Sequence, residues 1–239
     1  MPSHLYVAAS SLDLAIGTVV ELNRDQHHYL TRVLRLRSGD ACDCFDGEGL
    51  QFHATLDSSN RAAALTVISI EPREAPSAHR NHLAMALLKG SAMDRAIQLA
   101  CESGAHDISL FAAQRSNAKL DRKRLVNKQT HWQKIIIGAC EQSGRTYLPN
   151  FEPDASLEVL IASEANTYVL HMDGGPFNFQ IGADRLLLIG PEGGWSKAEL
   201  SLMESARVQR VSVGPTTLRA ESTPGAAMAI LNYLDRTES

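Results

Sequence analysis

Leu186-Leu187-Leu188-Ile189-Gly190-Pro191-Glu192-Gly193-Gly194-Trp195 is an apolar run that stops at a glycine-rich turn. Four consecutive aliphatic residues read as a strand buried on both faces, as a parallel sheet requires, and the glycines after it let backbone N–H and C=O groups approach a ligand closely. The same arrangement recurs on either side. Downstream, Val211-Ser212-Val213 runs into Gly214-Pro215-Thr216-Thr217-Leu218-Arg219; upstream, Tyr168 to His171 runs into Met172-Asp173-Gly174-Gly175. In α/β sheets ligands bind beyond the carboxyl ends of strands, so three such turns predict a pocket built largely from main chain.

Outward from these turns the chain shows two patterns. Leu83 to Leu88 is an apolar strand ending at Lys89-Gly90, Ser91 with Asp94 predicts a capped helix closing at Gly104, and Ile108 to Phe111 predicts the next strand. Asp121 opens a long helix in which Leu125, Trp132, Ile136, Ala139 and Cys140 share a face, and further helices are expected over Lys197 to Ala206 and Gly225 to Leu234. Strands alternating with helices predict an α/β domain with a mostly parallel sheet. Earlier in the chain, Leu50 to Leu56 and Leu65 to Ile70 instead alternate apolar and polar residues, with Asp46-Gly47-Glu48-Gly49 as a turn before them. One helix interrupts that pattern: Asn23 and Gln26 resemble a capping box, Leu30, Val33 and Leu34 gather on one face, and His28, Arg32 and Arg35 on the opposite one. Glu71 to His79, with two prolines and no periodicity, reads as a linker. The expected organisation is a small β-barrel over 1–72 and an α/β domain over 73–239.

A chain of 239 residues that is 44% hydrophobic and 21% charged can bury a core, which excludes collagen-like, disulfide-scaffold and disordered classes. No apolar run approaches the roughly 20 residues that span a bilayer, and Met1 to Tyr6 lacks the pattern of a signal peptide. A cytoplasmic location without membrane is therefore expected, with Cys42, Cys44, Cys101 and Cys140 as buried reduced thiols. The net charge of -4 hides segregation: Arg115 to Lys134 holds seven bases against one acid, and Arg24 to Arg37 four against one. Local fields of this kind attract polyanions whatever the total charge.

Common ligand motifs fail. Gly190 to Gly194 is not followed by Lys-Ser or Lys-Thr, so it is no P-loop, and Gly47-Glu48-Gly49 lacks the third glycine of a dinucleotide fingerprint. The nine histidines form no metal-binding spacing, so no metal is expected. The pocket calls for an organic cofactor without a phosphate grip, or a substrate held by backbone.

Leu188-Ile189-Gly190-Pro191-Glu192-Gly193-Gly194, together with Gly214-Pro215-x-x-Leu218-Arg219-x-Glu221-Ser222-Thr223, closely resembles the two cofactor loops of the SPOUT (α/β-knot) RNA methyltransferases, in particular the bacterial enzymes that methylate uridine N3 in 16S ribosomal RNA. The resemblance extends to Lys89-Gly90, Met93-Asp94, Arg115-Ser116-x-x-Lys119-Leu120 and Trp132-Gln133-Lys134 through Arg145. His27-His28-Tyr29-Leu30 with Val33-Leu34-Arg35 and Gly39-Asp40 is similar to the family's PUA-like domain. The resemblance implies a C-terminal trefoil-knot domain, a PUA-like β-barrel before it, S-adenosyl-L-methionine as cofactor, 16S rRNA or the small ribosomal subunit as partner, and a homodimer. By position, Leu170, His171, Met172, Gly190, Pro191, Glu192, Gly193, Gly194, Val213, Gly214, Leu218, Ser222 and Thr223 would hold the cofactor. One departure stands out: the family's Arg-x-Glu-Thr-Ala is here Arg219-Ala220-Glu221-Ser222-Thr223-Pro224, and Pro224 is tolerable only in a first helical turn.

The chemistry adds requirements of its own. An activated sulfonium methyl must be aligned with the attacking nitrogen, and the neutral uracil imide must lose its N3 proton. A cation near the uracil oxygens would stabilise the developing anion, which makes Arg145 and Arg219 catalytic candidates; Glu221 and Glu141 are candidate bases, needing a raised pKa. Lys89, Arg115 and Lys119, continued by His28, Arg32 and Arg35, are expected to grip phosphates. Two alternatives stay open: another RNA site for the same kind of enzyme, and a non-catalytic ribosome-binding factor.

Overall fold

The computed structural model describes residues 4–8, 14–58, 63–117, 122–162, 166–179 and 182–237. They form two compact units, one of Met1–Pro76 with Cys140–Leu148, the other of Ser77–Ala139 with Pro149–Ser239.

The first unit is a five-stranded sheet of β1 (His4–Tyr6), β2 (Val19–Glu21), β3 (Ala41–Phe45), β4 (Gln51–Asp57) and β5 (Ala64–Ile70), in the order β1-β3-β4-β5-β2. Alternation decides its inner face: Phe52, Ala54 and Leu56 of β4 and Leu65 and Val67 of β5 are buried with Cys42, Cys44, Leu5 and Leu30. Asn23 caps α1 (Arg24–His28), its side chain accepting Gln26 N–H while the Gln26 side chain accepts Asn23 N–H. The helix then widens into a π-helical turn over Tyr29–Val33. That widening changes which residues align. Leu30 is fully buried as expected, but Val33, expected beside it, is 58% exposed.

Cys140–Leu148 belongs to this unit through specific bonds. Glu141 accepts the N–H of Tyr6 at 3.0 Å, and Leu148 N–H donates to Gly47 O at 3.0 Å. A Cβ on Gly49 would lie 2.4 Å from the Tyr147 ring, so only glycine lets that ring lie against the turn. The stretch read as a linker is tied down: Arg73 bridges to Asp46 at 2.9 Å and Tyr147 OH donates to Glu74 O at 2.7 Å.

The second unit is a six-stranded, wholly parallel sheet of β6 (Asn81–Ala86), β7 (Asp107–Phe111), β8 (Asn150–Ala155), β9 (Asn166–Gly175), β10 (Arg185–Ile189) and β11 (Gln209–Val211), in the order β11-β9-β10-β6-β7-β8. Its helices are α2 (Ser91–Glu102), α3 (Arg122–Ser143, whose last turn lies in the first unit), α4 (Leu157–Ile161), α5 (Lys197–Ser205) and α6 (Thr223–Thr237). All of β10 is buried, as its unbroken aliphatic run requires. Strand order reverses between β10 and β6, the kind of switch point beside which open α/β sheets bind ligands.

Two local expectations are corrected. The cap of α2 is Gly90, at φ 62° and ψ -136°, a conformation in which only glycine is comfortable; Ser91 already lies in the helix. Asp94 instead accepts from Trp132 Nε1 at 3.1 Å and His131 Nε2 at 2.9 Å, fixing α3 to α2. β8 and α4 were not anticipated, because Asn-Phe-Glu-Pro-Asp-Ala carries a proline and few β-formers; β8 lies at the sheet edge, where a proline is tolerated. All four cysteines are buried and none is in a disulfide, and no helix among the described residues is long and apolar enough to cross a membrane.

Candidate active site

The carboxyl ends of β9, β10 and β11 open into one cleft of about 270 Å³. Its walls come from three segments: Leu170, His171 and Met172 within β9, which runs on as strand to Gly175 where a turn was expected; Ile189, the last residue of β10, to Glu192 with Gly194 and Trp195 after it; and Ser212, Val213, Thr216 to Leu218, Ala220 and Thr223 after β11.

Trp195 holds two of these segments together. Its indole N–H donates to Leu170 O at 3.3 Å, its ring stacks on Phe111 at 5.9 Å, and a Cβ on Gly190 would fall 2.8 Å from its Cε2. Gly190 is thus a glycine because a tryptophan lies against it. Behind the ring, Ser196 and Glu199 cap α5 reciprocally, and the buried Glu199 carboxylate also accepts Gln114 N–H at 2.8 Å. This brings Arg115 against Gly193, whose missing Cβ would lie 2.9 Å from Arg115 O. On the third segment, Thr217 OH donates to the Met172 sulfur at 3.4 Å, and a Cβ on Gly174 would lie 2.3 Å from the Val211 carbonyl carbon. The loop enters α6 through Ser222 and Thr223, whose N–H groups both donate to Arg219 O. Pro224 is the second residue of α6, within the first turn that its missing N–H allows.

Among the residues expected to hold a cofactor, Leu170, His171, Met172, Gly190, Pro191, Glu192, Gly194, Val213, Leu218 and Thr223 line the cleft. Gly193 instead packs on Arg115, Ser222 is exposed at the start of α6, and Gly214 lies in the adjoining hollow. Ile189, Trp195, Ser212, Thr216, Thr217 and Ala220 line it without having been singled out for that role, each one to three residues from one that was.

None of the four catalytic candidates lines the cleft. Arg219 and Glu221 stand in its third segment, 3.8 Å apart, with the arginine side chain 86% exposed. Glu141 and Arg145 lie in the first unit. Burial pushes the Glu141 carboxyl above its ordinary range, with the Tyr6 N–H opposing. His28, Arg32 and Arg35 are exposed on and just after α1, with Arg35 at φ 59°, and Lys89 and Arg115 are exposed beyond β6 and β7. Lys119 lies outside the described residues. No group of three metal-ligating side chains occurs among the described residues.

A family model described as an RNA methyltransferase domain matches residues 75–232, and one described as an RNA methyltransferase PUA domain matches 22–68. The ribosomal RNA small subunit methyltransferase E of Synechocystis is 34% identical over 235 residues, covering 92% of this chain and 74% of its own length. That of Bacillus subtilis is 27% identical, covering 87% and 88%. A protein of Legionella pneumophila solved with bound SAM superposes with a TM-score of 0.90 at 26% identity over 98% of both chains. The Neisseria gonorrhoeae ribosomal RNA small subunit methyltransferase E, solved with S-adenosyl methionine, gives 0.86 at 26% identity, again over 98% of both.

Proposed function

Because the chain belongs to the RNA methyltransferase family, with the SPOUT fold in its second unit and a PUA domain in its first, we propose that it transfers a methyl group from S-adenosyl-L-methionine to N3 of a specific uridine in 16S rRNA of the small ribosomal subunit. The observation that carries this reading is the cleft at β9, β10 and β11, together with a relative named ribosomal RNA small subunit methyltransferase E whose structure holds the cofactor.

The cleft suits that cofactor. Leu170, Ile189, Val213 and Leu218 offer apolar walls for an adenine ring, and the turns at Gly190 and Gly194 present main-chain donors and acceptors to its polar edge. Bound there, S-adenosylmethionine supplies a methyl on a positively charged sulfur. The protein's part is to orient the acceptor base and manage one proton. Arg219 and Arg145 are proposed to stabilise negative charge on the uracil oxygens, and Glu221 and Glu141 to accept the N3 proton. Glu221 is the more direct, since its own loop lines the cleft at Ala220 and Thr223. The exposed His28, Arg32, Arg35, Lys89 and Arg115, with Lys119, are proposed to contact rRNA phosphates, residues 1–72 acting as the RNA-binding domain and 73–239 as the methyltransferase domain.

The protein is proposed to work as a cytoplasmic homodimer. Beside the cleft, Met172, Phe177, Val213, Ile230 and Leu234 line a hollow of about 550 Å³, and Tyr233 is 68% exposed next to it on α6. Apolar surface of this kind suits a second copy. Light scattering should give twice the chain mass; a stable monomer that methylates rRNA would refute the dimer.

The reaction is tested by incubating the protein with labelled cofactor and small subunits from a strain lacking this gene, then analysing the rRNA nucleosides. 3-Methyluridine is expected. A label in another nucleoside would move the reaction to a different RNA atom, and cofactor binding and transfer both absent would favour a ribosome-binding role.

A further inference from the structure

The cleft's side-chain donors are mostly engaged within the protein. Among the lining residues, Trp195 N–H goes to Leu170 O at 3.3 Å, Ser212 OH to Gly214 O at 2.9 Å, Thr217 OH to the Met172 sulfur at 3.4 Å and Thr223 OH to Arg219 O at 2.9 Å. No Lys or Arg is among them.

His171 differs. Its Nδ1 accepts the N–H of Asp173 at 3.2 Å, while the Asp173 carboxylate stands 3.7 Å from the same nitrogen, beyond a good hydrogen bond. A ring nitrogen that accepts carries no proton, so the neutral imidazole holds its hydrogen on Nε2. His171 is half-buried and lines the cleft, so the Nε2–H is a donor fixed in kind before any ligand arrives.

We propose that His171, locked as the Nε2–H tautomer by the Asp173 backbone, donates to the methionyl carboxylate of bound S-adenosylmethionine and is the residue by which the cleft recognises that end of the cofactor. The inference rests on the cofactor reading of the cleft. It commits to the carboxylate because this is the cofactor's strongest acceptor and, among the described residues, no Lys or Arg lines the cleft to take it. Glu192, the only acid among the described lining residues, is left to the cationic part of the same molecule.

The test is calorimetric titration of the full chain with S-adenosylmethionine and with its decarboxylated analogue, in the wild type, His171→Phe and His171→Gln. His171→Phe should weaken S-adenosylmethionine by roughly 10- to 100-fold, the range of a hydrogen bond to a charged group, and the decarboxylated analogue by less than about threefold. His171→Gln, whose amide nitrogen falls near Nε2, should recover most of the loss. Nitrogen-15 NMR of the free protein should show His171 with an unprotonated Nδ1 and a protonated Nε2. Equal losses for the two ligands, no recovery by glutamine, or the opposite tautomer would each overturn the proposal. A wild type that binds neither ligand, but shows the expected tautomer, would instead overturn the cofactor reading on which it rests.

Discussion

Gly190→Ala is the substitution that most directly probes how the cleft is built. The Gly190 backbone is open to any residue, so the added methyl meets an obstacle only in space: it would lie 2.8 Å from Cε2, 2.9 Å from Nε1 and 3.3 Å from Cδ2 of Trp195. The indole has little room to yield, being buried, stacked on Phe111 and bonded to Leu170 O. Overpacking of this kind costs about 1–3 kcal/mol, and a strained indole hydrogen bond about 1 more. Reduced freedom of the unfolded chain returns about 0.4–1. The net loss is about 2 kcal/mol, read as a lower midpoint in urea unfolding followed by circular dichroism.

Trp195→Leu makes the test specific. A leucine side chain ends at its Cδ atoms and has nothing at the Cε2 and Nε1 positions that the methyl would strike, so the double variant Gly190→Ala with Trp195→Leu should be more stable than the two single losses predict, by about 1 kcal/mol or more. Weaker binding of S-adenosylmethionine should accompany the single Gly190→Ala change, since Trp195 joins the β9 and β10 walls of the cleft. Additive single losses, or a Gly190→Ala protein within about 0.5 kcal/mol of the wild type, would refute the account of Trp195 as the clasp between those two walls.

Three other outcomes follow from the same structure. Asp235 accepts both guanidinium nitrogens of the buried Arg185, at 2.9 and 2.6 Å, and His79 at 3.0 Å. Burial raises its pKa, but the bonds from Arg185 and His79 outweigh it and leave the carboxyl below its ordinary value. The folded state therefore binds that proton less tightly than the unfolded one. The resulting stability is present above the unfolded pKa, near 4, and is lost as pH falls through the folded value. Asp235→Asn should cost about 3–5 kcal/mol near neutrality by stranding Arg185, and should flatten the acid side of a stability–pH curve; an unchanged acid limb would count against the pair. Arg219→Ala should lower methyl transfer while leaving the melting temperature unchanged, because the side chain is 86% exposed; full turnover would remove Arg219 from the catalytic group. Arg32→Gln with Arg35→Gln should shallow the salt dependence of rRNA binding by roughly 0.7–0.9 log units per lost phosphate contact, and an unaltered slope would place the RNA elsewhere.

The fold was legible where one local rule decides. The aliphatic run of β10 could only be an inner strand of a parallel sheet, and Asn23 with Gln26 forms the reciprocal cap that its spacing announces. It was not legible where a local rule was overruled from elsewhere in the chain. Ser91 and Asp94 have the spacing of a cap, yet Gly90 takes that place because its backbone adopts a conformation closed to serine, and Asp94 serves α3 instead. Val33 follows Leu30 at helical spacing, but the turn between them is wound more widely, and the periodicity that would bury Val33 no longer applies.

The site divides in the same way. The glycines at 174, 190, 193, 194 and 214 are legible because each stands where a side chain would collide or a backbone angle disfavours one, and that demand leaves its mark at the glycine itself; Gly175 meets neither condition. The destination of a long polar side chain leaves no such mark. Glu141 is the instructive case. Reaction chemistry asks for a carboxyl with a raised pKa, and burial does raise it, but this carboxyl accepts the N–H of Tyr6, 135 residues away in sequence. A half-buried structural acceptor acquires the same direction of shift as a base tuned for proton transfer. The two are separated by what removing the carboxylate does. Glu141→Gln keeps an oxygen for Tyr6 N–H, so a base should lose turnover and its pH profile with the fold intact, whereas a structural acceptor should lose neither. Glu221→Gln, tried alongside, carries the complementary expectation: its loop lines the cleft, so the pH dependence of transfer should follow Glu221 if it is the proton acceptor and remain unmoved if its role is confined to its neighbour Arg219.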